Sequence, residues 1–375
     1  MDDLINLRRE LHANPELSGA EQQTARRIAA VFQALNPDQT IADLGGNGIA
    51  FVFGSQQPGP SVLFRCELDA IPVHGKNNLA YRSNNPGCSH NCGHDGHMAT
   101  MARFGFMISK RRPARGRIIL LFQPAEETGR GAAAVVNDSK FKALNADLAF
   151  AYHNLPGFPL GAVLLKSGAM NCASRGMIVR LSGITSHAAS PEDGVSPALA
   201  MSELIQGLAS LPSDPELKPV YSQVTVVHAR LGEPAFGLSP GDAEVRATLR
   251  TESDGAMLIL TERAVKLVKK KATSANLSFD ISWSDEFTAS NNDAGACDMV
   301  RKAAAAAGLK IIDLAEPLRV SEDFGQISRR IQGVMFGLGA GENCPGLHQA
   351  EYDFPEELIE IGSKVFMEIA RSLVY

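Results

Sequence analysis

The sequence predicts an α/β protein: a mostly parallel sheet with flanking helices, interrupted by a smaller α+β unit. Three observations predict it. Apolar strand-like runs at residues 61–68, 117–122 and 146–152 alternate with helical stretches, the order that builds a parallel sheet with a helix in each crossover. Asp69, the Glu126-Glu127 pair and His153 each stand just past the end of one of these runs, and sites in such sheets lie at the carboxyl ends of the strands. Between residues 174 and 283 the pattern changes to strand, helix, two strands, helix, strand, the βαββαβ order of a ferredoxin-like unit.

Each element has a local reason. Leu4, Leu7 and Leu11 recur at helical spacing, and Pro15 stops that helix. Ser18-Gly19-Ala20-Glu21 reads as a capping box that starts a second helix reaching about residue 35, before Asn36-Pro37. Runs 49–53 and 61–68 are rich in β-formers and are joined by a Gln57-Pro58-Gly59-Pro60 turn. Helices are expected at 97–110 and 131–137. The inserted unit reads as strand 176–181, helix 197–211, strands 222–231 and 242–251, helix 256–272 and strand 276–283. The first pattern then resumes with helix 298–307, strand 310–314, a short helix after Ser321, strand 333–338 and a closing helix at 355–373. The expected division is a discontinuous domain, 1–173 with 284–375, and an insertion at 174–283.

The 375 residues suit two domains, and 45% apolar with 21% charged content is that of a soluble globular chain. A net charge of −5 gives no footing for nucleic acid. No apolar run is long enough to span a bilayer. The acidic start, Met1-Asp2-Asp3, lacks the features of a secretory signal, so the cytoplasm is the expected location. Six cysteines in this length do not form a disulfide scaffold.

The densest chemistry lies in His90-Asn91-Cys92-Gly93-His94-Asp95-Gly96-His97: three histidines, a cysteine and an aspartate in eight residues. Thiolate and imidazole bind zinc, and imidazole also suits manganese, cobalt or nickel. Glu127, His153 and His348 can complete a set with Cys92 and His94. Five ligands exceed the four of a structural zinc site and suit two divalent ions about 3.5–4 Å apart. Glu126, beside a ligand carboxylate, is then free to act as general base and later general acid. Asp69 and Asp95 are placed to orient ligands. The plainer readings are a Cys88–Cys92 disulfide, a structural zinc knuckle, or a solvated Glu-Glu pair. His12, His74 and His228 read as structural or surface groups, and Cys66, Cys172, Cys297 and Cys344 as buried or loop thiols.

Over nearly its whole length the chain resembles the metal-dependent amidohydrolases of the aminoacylase/carboxypeptidase superfamily. It is most similar to the branch of hippurate hydrolases, bacterial N-acyl-amino-acid amidohydrolases and auxin-conjugate hydrolases. The resemblance is carried by Arg8-Arg9-Glu10-Leu11-His12, Asp69-Ala70-Ile71-Pro72, Cys92-Gly93-His94-Asp95-Gly96-His97, Pro124-Ala125-Glu126-Glu127, His153-Asn154, Ser321-Glu322-Asp323-Phe324 and the segment from His348 to Phe354. It implies a zinc-peptidase-like catalytic domain and two divalent ions on Cys92, His94, Glu127, His153 and His348, with zinc or manganese first in line. It implies Glu126 as base, and the insertion as a lid through which the chain forms a homodimer. It also assigns to His187, in Ser186-His187-Ala188, the stabilisation of a tetrahedral oxyanion. The implied reaction is hydrolysis of the amide bond of a small N-acyl amino acid by metal-activated hydroxide. A dipeptidase or carboxypeptidase with the same site, a non-catalytic metal- or ligand-binding protein on this scaffold, and a thiol redox protein are the alternatives. Arg250 is a carboxylate contact by charge and lid position. The chain departs from the family at Cys66-Glu67, where alanine and aspartate are usual. It departs again at Gly237-Leu238-Ser239-Pro240 in place of Asn-Val-Ile-Pro, and at Pro191-Glu192 in place of Pro-His.

Overall fold

A computed structural model describes residues 1–218 and 220–375. It divides into two compact units, one of Met1–Met170, Ser290–Pro317 and Glu322–Tyr375, the other of Asn171–Ala289 and Leu318–Ser321.

The first unit is built on an eight-stranded sheet in the order Gln39–Leu44, Gly48–Gly54, Arg117–Gln123, Ser61–Glu67, Leu148–Leu155, Gln332–Gly339, Val163–Leu165, Ile311–Asp313. The four central strands are parallel. Ser61–Glu67 is buried at every position, as a strand covered on both faces must be, and its near-continuous apolar run follows from that. Alternate residues serve opposite cores. Val62, Phe64, Ile118, Leu120, Phe150 and Phe336 face the helices Asp2–Ala13, Gln22–Gln33, His94–Lys110, Ala294–Ala306 and Glu357–Val374. Leu63, Ile119, Leu121, Ala149 and Met335 face the short helices Gly131–Asn137, Ser139–Leu144 and Gly325–Ser328. Three outer pairings are antiparallel, Gln39–Leu44 with Gly48–Gly54, Gly48–Gly54 with Arg117–Gln123, and Gln332–Gly339 with Val163–Leu165, while the edge strand Ile311–Asp313 pairs in parallel with Val163–Leu165. At one margin the link is a tight turn through Gly45 and Gly46, both at positive φ, too short for a parallel crossover.

The second unit holds an antiparallel sheet in the order Ser222–Leu231, Asp242–Thr251, Ala173–Ser182, Ser278–Phe287. Met177, Val179 and Leu181 alternate with less buried residues and pack, with Val245 and Leu249, on Leu204 and Leu208 of Ala198–Ser210 and on Leu260, Ala264 and Val268 of Asp254–Ser274. Ser253 caps that last helix by accepting from Ala256 N.

Three local expectations are corrected. Helix Gln22–Gln33 begins at Glu21 with no side-chain cap. Ser18 Oγ donates instead to Asp69 Oδ2 at 2.6 Å, and Glu21 Oε1 accepts from Gly19 N and Ala125 N at 2.7 and 2.8 Å. The helix expected from residue 97 begins at His94, so His94 and His97 are one turn apart on the same face. Leu318–Ser321 belongs with the second unit, because Leu318 O accepts from Cys172 N and the Arg250 guanidinium donates to Arg319 O and Ser321 Oγ. No helix of the described residues is long and apolar enough to cross a membrane.

Candidate metal centre

Three backbone irregularities gather the candidate ligand side chains at the carboxyl ends of the parallel strands. Gly93 sits at φ 93° between Cys92 and His94. A Cβ there would lie 2.7 Å from Asn154 Oδ1, so only glycine lets that amide pack on the turn. Ala125, after strand Arg117–Gln123, holds the left-handed conformation at φ 51° and turns Glu126 and Glu127 back towards the strand ends. A non-glycine residue there costs about 1–3 kcal/mol and persists only where its surroundings hold it; here Glu21 accepts from its N–H. His348 is also left-handed, at φ 66°, and its N–H donates to Asn91 O. His153 lies inside strand Leu148–Leu155 rather than beyond it.

These turns bring five candidate ligand side chains together. The ligand atoms of Cys92, His94 and His153 lie within 4.8 Å of one another, as do those of Cys92, Glu127 and His348. Cys92 Sγ is 3.5 Å from His153 Nε2 and 3.3 Å from His348 Nε2. His94 Nε2 stands 3.8 Å from Glu127 Oε1 and 4.0 Å from Glu126 Oε2. Both His94 Nε2 and Glu127 Oε1 are buried without a hydrogen-bond partner, and so is Asp69 Oδ1. A buried polar atom left unpaired costs about 1–3 kcal/mol. Two such atoms facing each other across a gap too wide for a hydrogen bond leave room for a cation between them. The donor set of thiol, three imidazoles and carboxylates fits a divalent transition metal.

The electrostatics agree. Burial, then Glu322 and Glu127, push the Glu126 carboxyl well above the usual range. Burial and the same Glu126-Glu127 pair push the Cys92 thiol well up; a thiolate there needs a cation beside it. Burial, with His97 beside it, lowers His153 to about 3, leaving a neutral ring fit to ligate. Burial opposes charge on His94, but the Asp69 hydrogen bond and the carboxylates of Glu67 and Glu127 raise it to about 10.

The chain matches the model of peptidase family M20/M25/M40 over residues 63–372. That covers most of its length. The chain belongs to this family. It is 30% identical over 372 residues to an N-acetyl-L-cysteine deacetylase of Bacillus subtilis (strain 168), covering 99% of this chain and 88% of that one. It is 27% identical over 366 residues to a hippurate hydrolase of Campylobacter jejuni, covering 97% and 94%. A solved dinuclear metal-binding peptidase of family M20 from Bacillus subtilis superposes with a TM-score of 0.82 at 25% identity, over 98% of this chain and 97% of that one. The chain is therefore a metal-dependent amidohydrolase.

Within this M20-family protein the first unit brings together Cys92, His94, Glu126, Glu127, His153 and His348. Asp69 ties them: its backbone oxygen accepts from His94 Nδ1 at 2.8 Å, and its Oδ2 accepts from Glu127 N at 3.0 Å. Asp95 is turned elsewhere. Its Oδ2 accepts from Arg8 Nε at 2.9 Å and His12 Nδ1 at 2.8 Å, because the helix starts at His94 and the next residue points about 100° around it. His187 and Arg250 lie in the second unit. His187 is exposed and pairs with Leu238. All six cysteines are free, so there is no Cys88–Cys92 disulfide. Sequence reasoning gave no role to His97, Asn154 or Tyr352, nor to buried Arg65, whose guanidinium bonds Glu67, Glu322, Asp323 and Gln123. A signal for His97 was present in its spacing of three from His94.

Proposed function

We propose that this amidohydrolase cleaves the amide bond of small N-acyl amino acids, with two divalent ions held by Cys92, His94, Glu127, His153 and His348. The observation that carries the reading is the pair of unpartnered buried atoms, His94 Nε2 and Glu127 Oε1, next to a carboxylate, Glu126, that is close but not needed as a ligand. When bound, the ions supply Lewis acidity towards the acyl carbonyl and acidify a water. Glu126 takes the proton of the attacking water and returns it to the leaving amine. Its buried position among Glu322, Asp323 and Asp69 favours the protonated form, which suits the second half of that task. Asp69 holds His94 and the Glu127 backbone in place. The resemblance assigns oxyanion stabilisation to His187; its Nδ1 accepts from Ala189 N at 3.0 Å, which leaves the proton of the neutral ring on Nε2, the donor an oxyanion requires. Zinc or manganese is the expected ion, and assembly through the second unit as a homodimer is the expected state.

The test is amine release from N-acetyl, N-benzoyl and longer N-acyl amino acids and from dipeptides, using chelator-stripped protein and protein restored with zinc, manganese, cobalt or nickel. Turnover of acyl amino acids only with metal supports the reading. Turnover confined to dipeptides replaces it with a dipeptidase, and no turnover with metal bound removes it. Glu126→Gln is expected to keep its metal and to lose at least about a thousandfold in kcat, the scale of losing a general acid–base group; near wild-type turnover would remove Glu126 from that role.

A further inference from the structure

We infer that His97 is a positioning residue, clamped between Glu67 and Asn154 so that its ring sets the orientation of the ligand histidines His94 and His153. The inference rests on the metal reading above and extends it to residues that do not themselves ligate.

His97 is buried and both its ring nitrogens are held. Nδ1 lies 2.6 Å from Glu67 Oε2, and Nε2 lies 2.5 Å from Asn154 Oδ1. The ring therefore cannot rotate, and neither nitrogen is free to bind an ion. Its faces and edges meet both ligand rings. The His97 and His94 centroids are 5.5 Å apart, and the His97 and His153 centroids are 5.0 Å apart with the planes at 82°. A histidine ligand has a single useful ring orientation, and packing by a fixed neighbour selects it at low entropic cost.

The clamp reaches further. Asn154 follows ligand His153 directly, and its amide packs on Gly93, between ligands Cys92 and His94. Asn154 Nδ2 donates to Tyr352 OH, four residues beyond ligand His348. At the other end Glu67 accepts from Arg65, which is itself bonded to Glu322 and Asp323. One hydrogen-bonded chain, Arg65–Glu67–His97–Asn154–Tyr352, thus joins the segments that carry four of the five ligands. Glu67, His94 and His97 also lie within ligand distance of one another, but Glu67 is taken by Arg65 and His97 by Asn154, so this trio reads as a strut rather than a third ion site. The usual aspartate at position 67 is a glutamate here. Its extra methylene lets one carboxylate span Arg65 and His97 at once.

The test uses cobalt(II) with wild type, His97→Gln and Glu67→Asp. Three quantities are read: cobalt bound per chain at equilibrium, the near-ultraviolet thiolate-to-cobalt charge-transfer band that reports on Cys92, and the thermal midpoint of the metal-free protein. Both variants are expected to keep the metal-free midpoint within a few degrees, to bind cobalt about 10–100-fold more weakly, and to show an altered charge-transfer band. If His97→Gln does not fold, Glu67→Asp decides, since it keeps the charge and shortens only the reach. Wild-type affinity and an unchanged band in the folded variants would overturn the inference while leaving the metal reading intact. Failure of the wild type to take up cobalt would overturn the metal reading and this inference with it.

Discussion

Two buried polar clusters stand side by side at the carboxyl ends of the parallel strands, and they are closed in different ways. Around Arg65 the carboxylates of Glu67, Glu322 and Asp323 meet a guanidinium that the chain itself provides, and Asp323 also accepts from Gln123 and Ala132 N. Around Cys92 the carboxylate of Glu127 and the ring of His94 face one another with atoms unpaired. The first cluster is complete as folded; the second presents unpaired donor atoms that a divalent cation would satisfy. The difference separates a structural ion network from a binding site more sharply than the density of acidic residues does, since both clusters are dense in carboxylates.

Changing the built-in cation should have the largest effect. Arg65→Met leaves three buried carboxylates without a counterion and is expected to cost about 3–5 kcal/mol, read as a large fall in the urea midpoint with or without metal. A midpoint within the error of wild type would mean that the Arg65 network is not an electrostatic unit. A second built-in pair predicts the acid response. Against the burial that would raise it, Arg8 and His12 hold the Asp95 carboxyl below its ordinary value. The folded pKa is lower than the unfolded one, so this stability is complete above about pH 4, the unfolded aspartate pKa, and is lost as the pH falls below it. Urea midpoints measured from pH 7 to pH 3 should therefore decline in acid, and Asp95→Asn should start lower and decline less; parallel curves would remove Asp95 from that role. The smallest expected effect is at Glu127. In metal-free protein Glu127→Gln removes one of the carboxylates that raise His94 to about 10 and should lower stability near neutral pH by on the order of 1 kcal/mol, while weakening metal uptake. Unchanged metal-free stability would mean that Glu127 does not pair with His94.

The sequence disclosed much of this because ligands must be chemically distinctive. Asp69, Glu126-Glu127 and His153 fall where apolar runs end, Cys92-Gly93-His94 stands in the densest group of donor side chains, and both the sheet and its candidate site follow from that pattern. Less legible was anything that depends on reach between distant segments. Ser18 and Glu21 have capping spacing, yet Asp69 and Ala125 lie closer than the helix N-terminus and take their hydrogen bonds. Asp95 sits between two histidines in sequence, but the helix turns it to Arg8. His97 reads as one more histidine until the fold shows both nitrogens occupied. Arg65 in an apolar strand gave no sign of its partners, because Glu322 and Asp323 are more than 250 residues away in sequence.

The central claim is that the Cys92–His94–Glu127–His153–His348 cluster binds divalent cations. The most direct measurement is calorimetric titration of chelator-stripped protein with zinc or manganese, paired with thermal unfolding at saturation. The account predicts two ions per chain and a rise in the thermal midpoint equivalent to about 3–4 kcal/mol for each ion at a hundred to a thousand times its Kd. It also predicts that both are lost in His94→Gln. Absence of binding, or binding that survives His94→Gln unchanged, would contradict it.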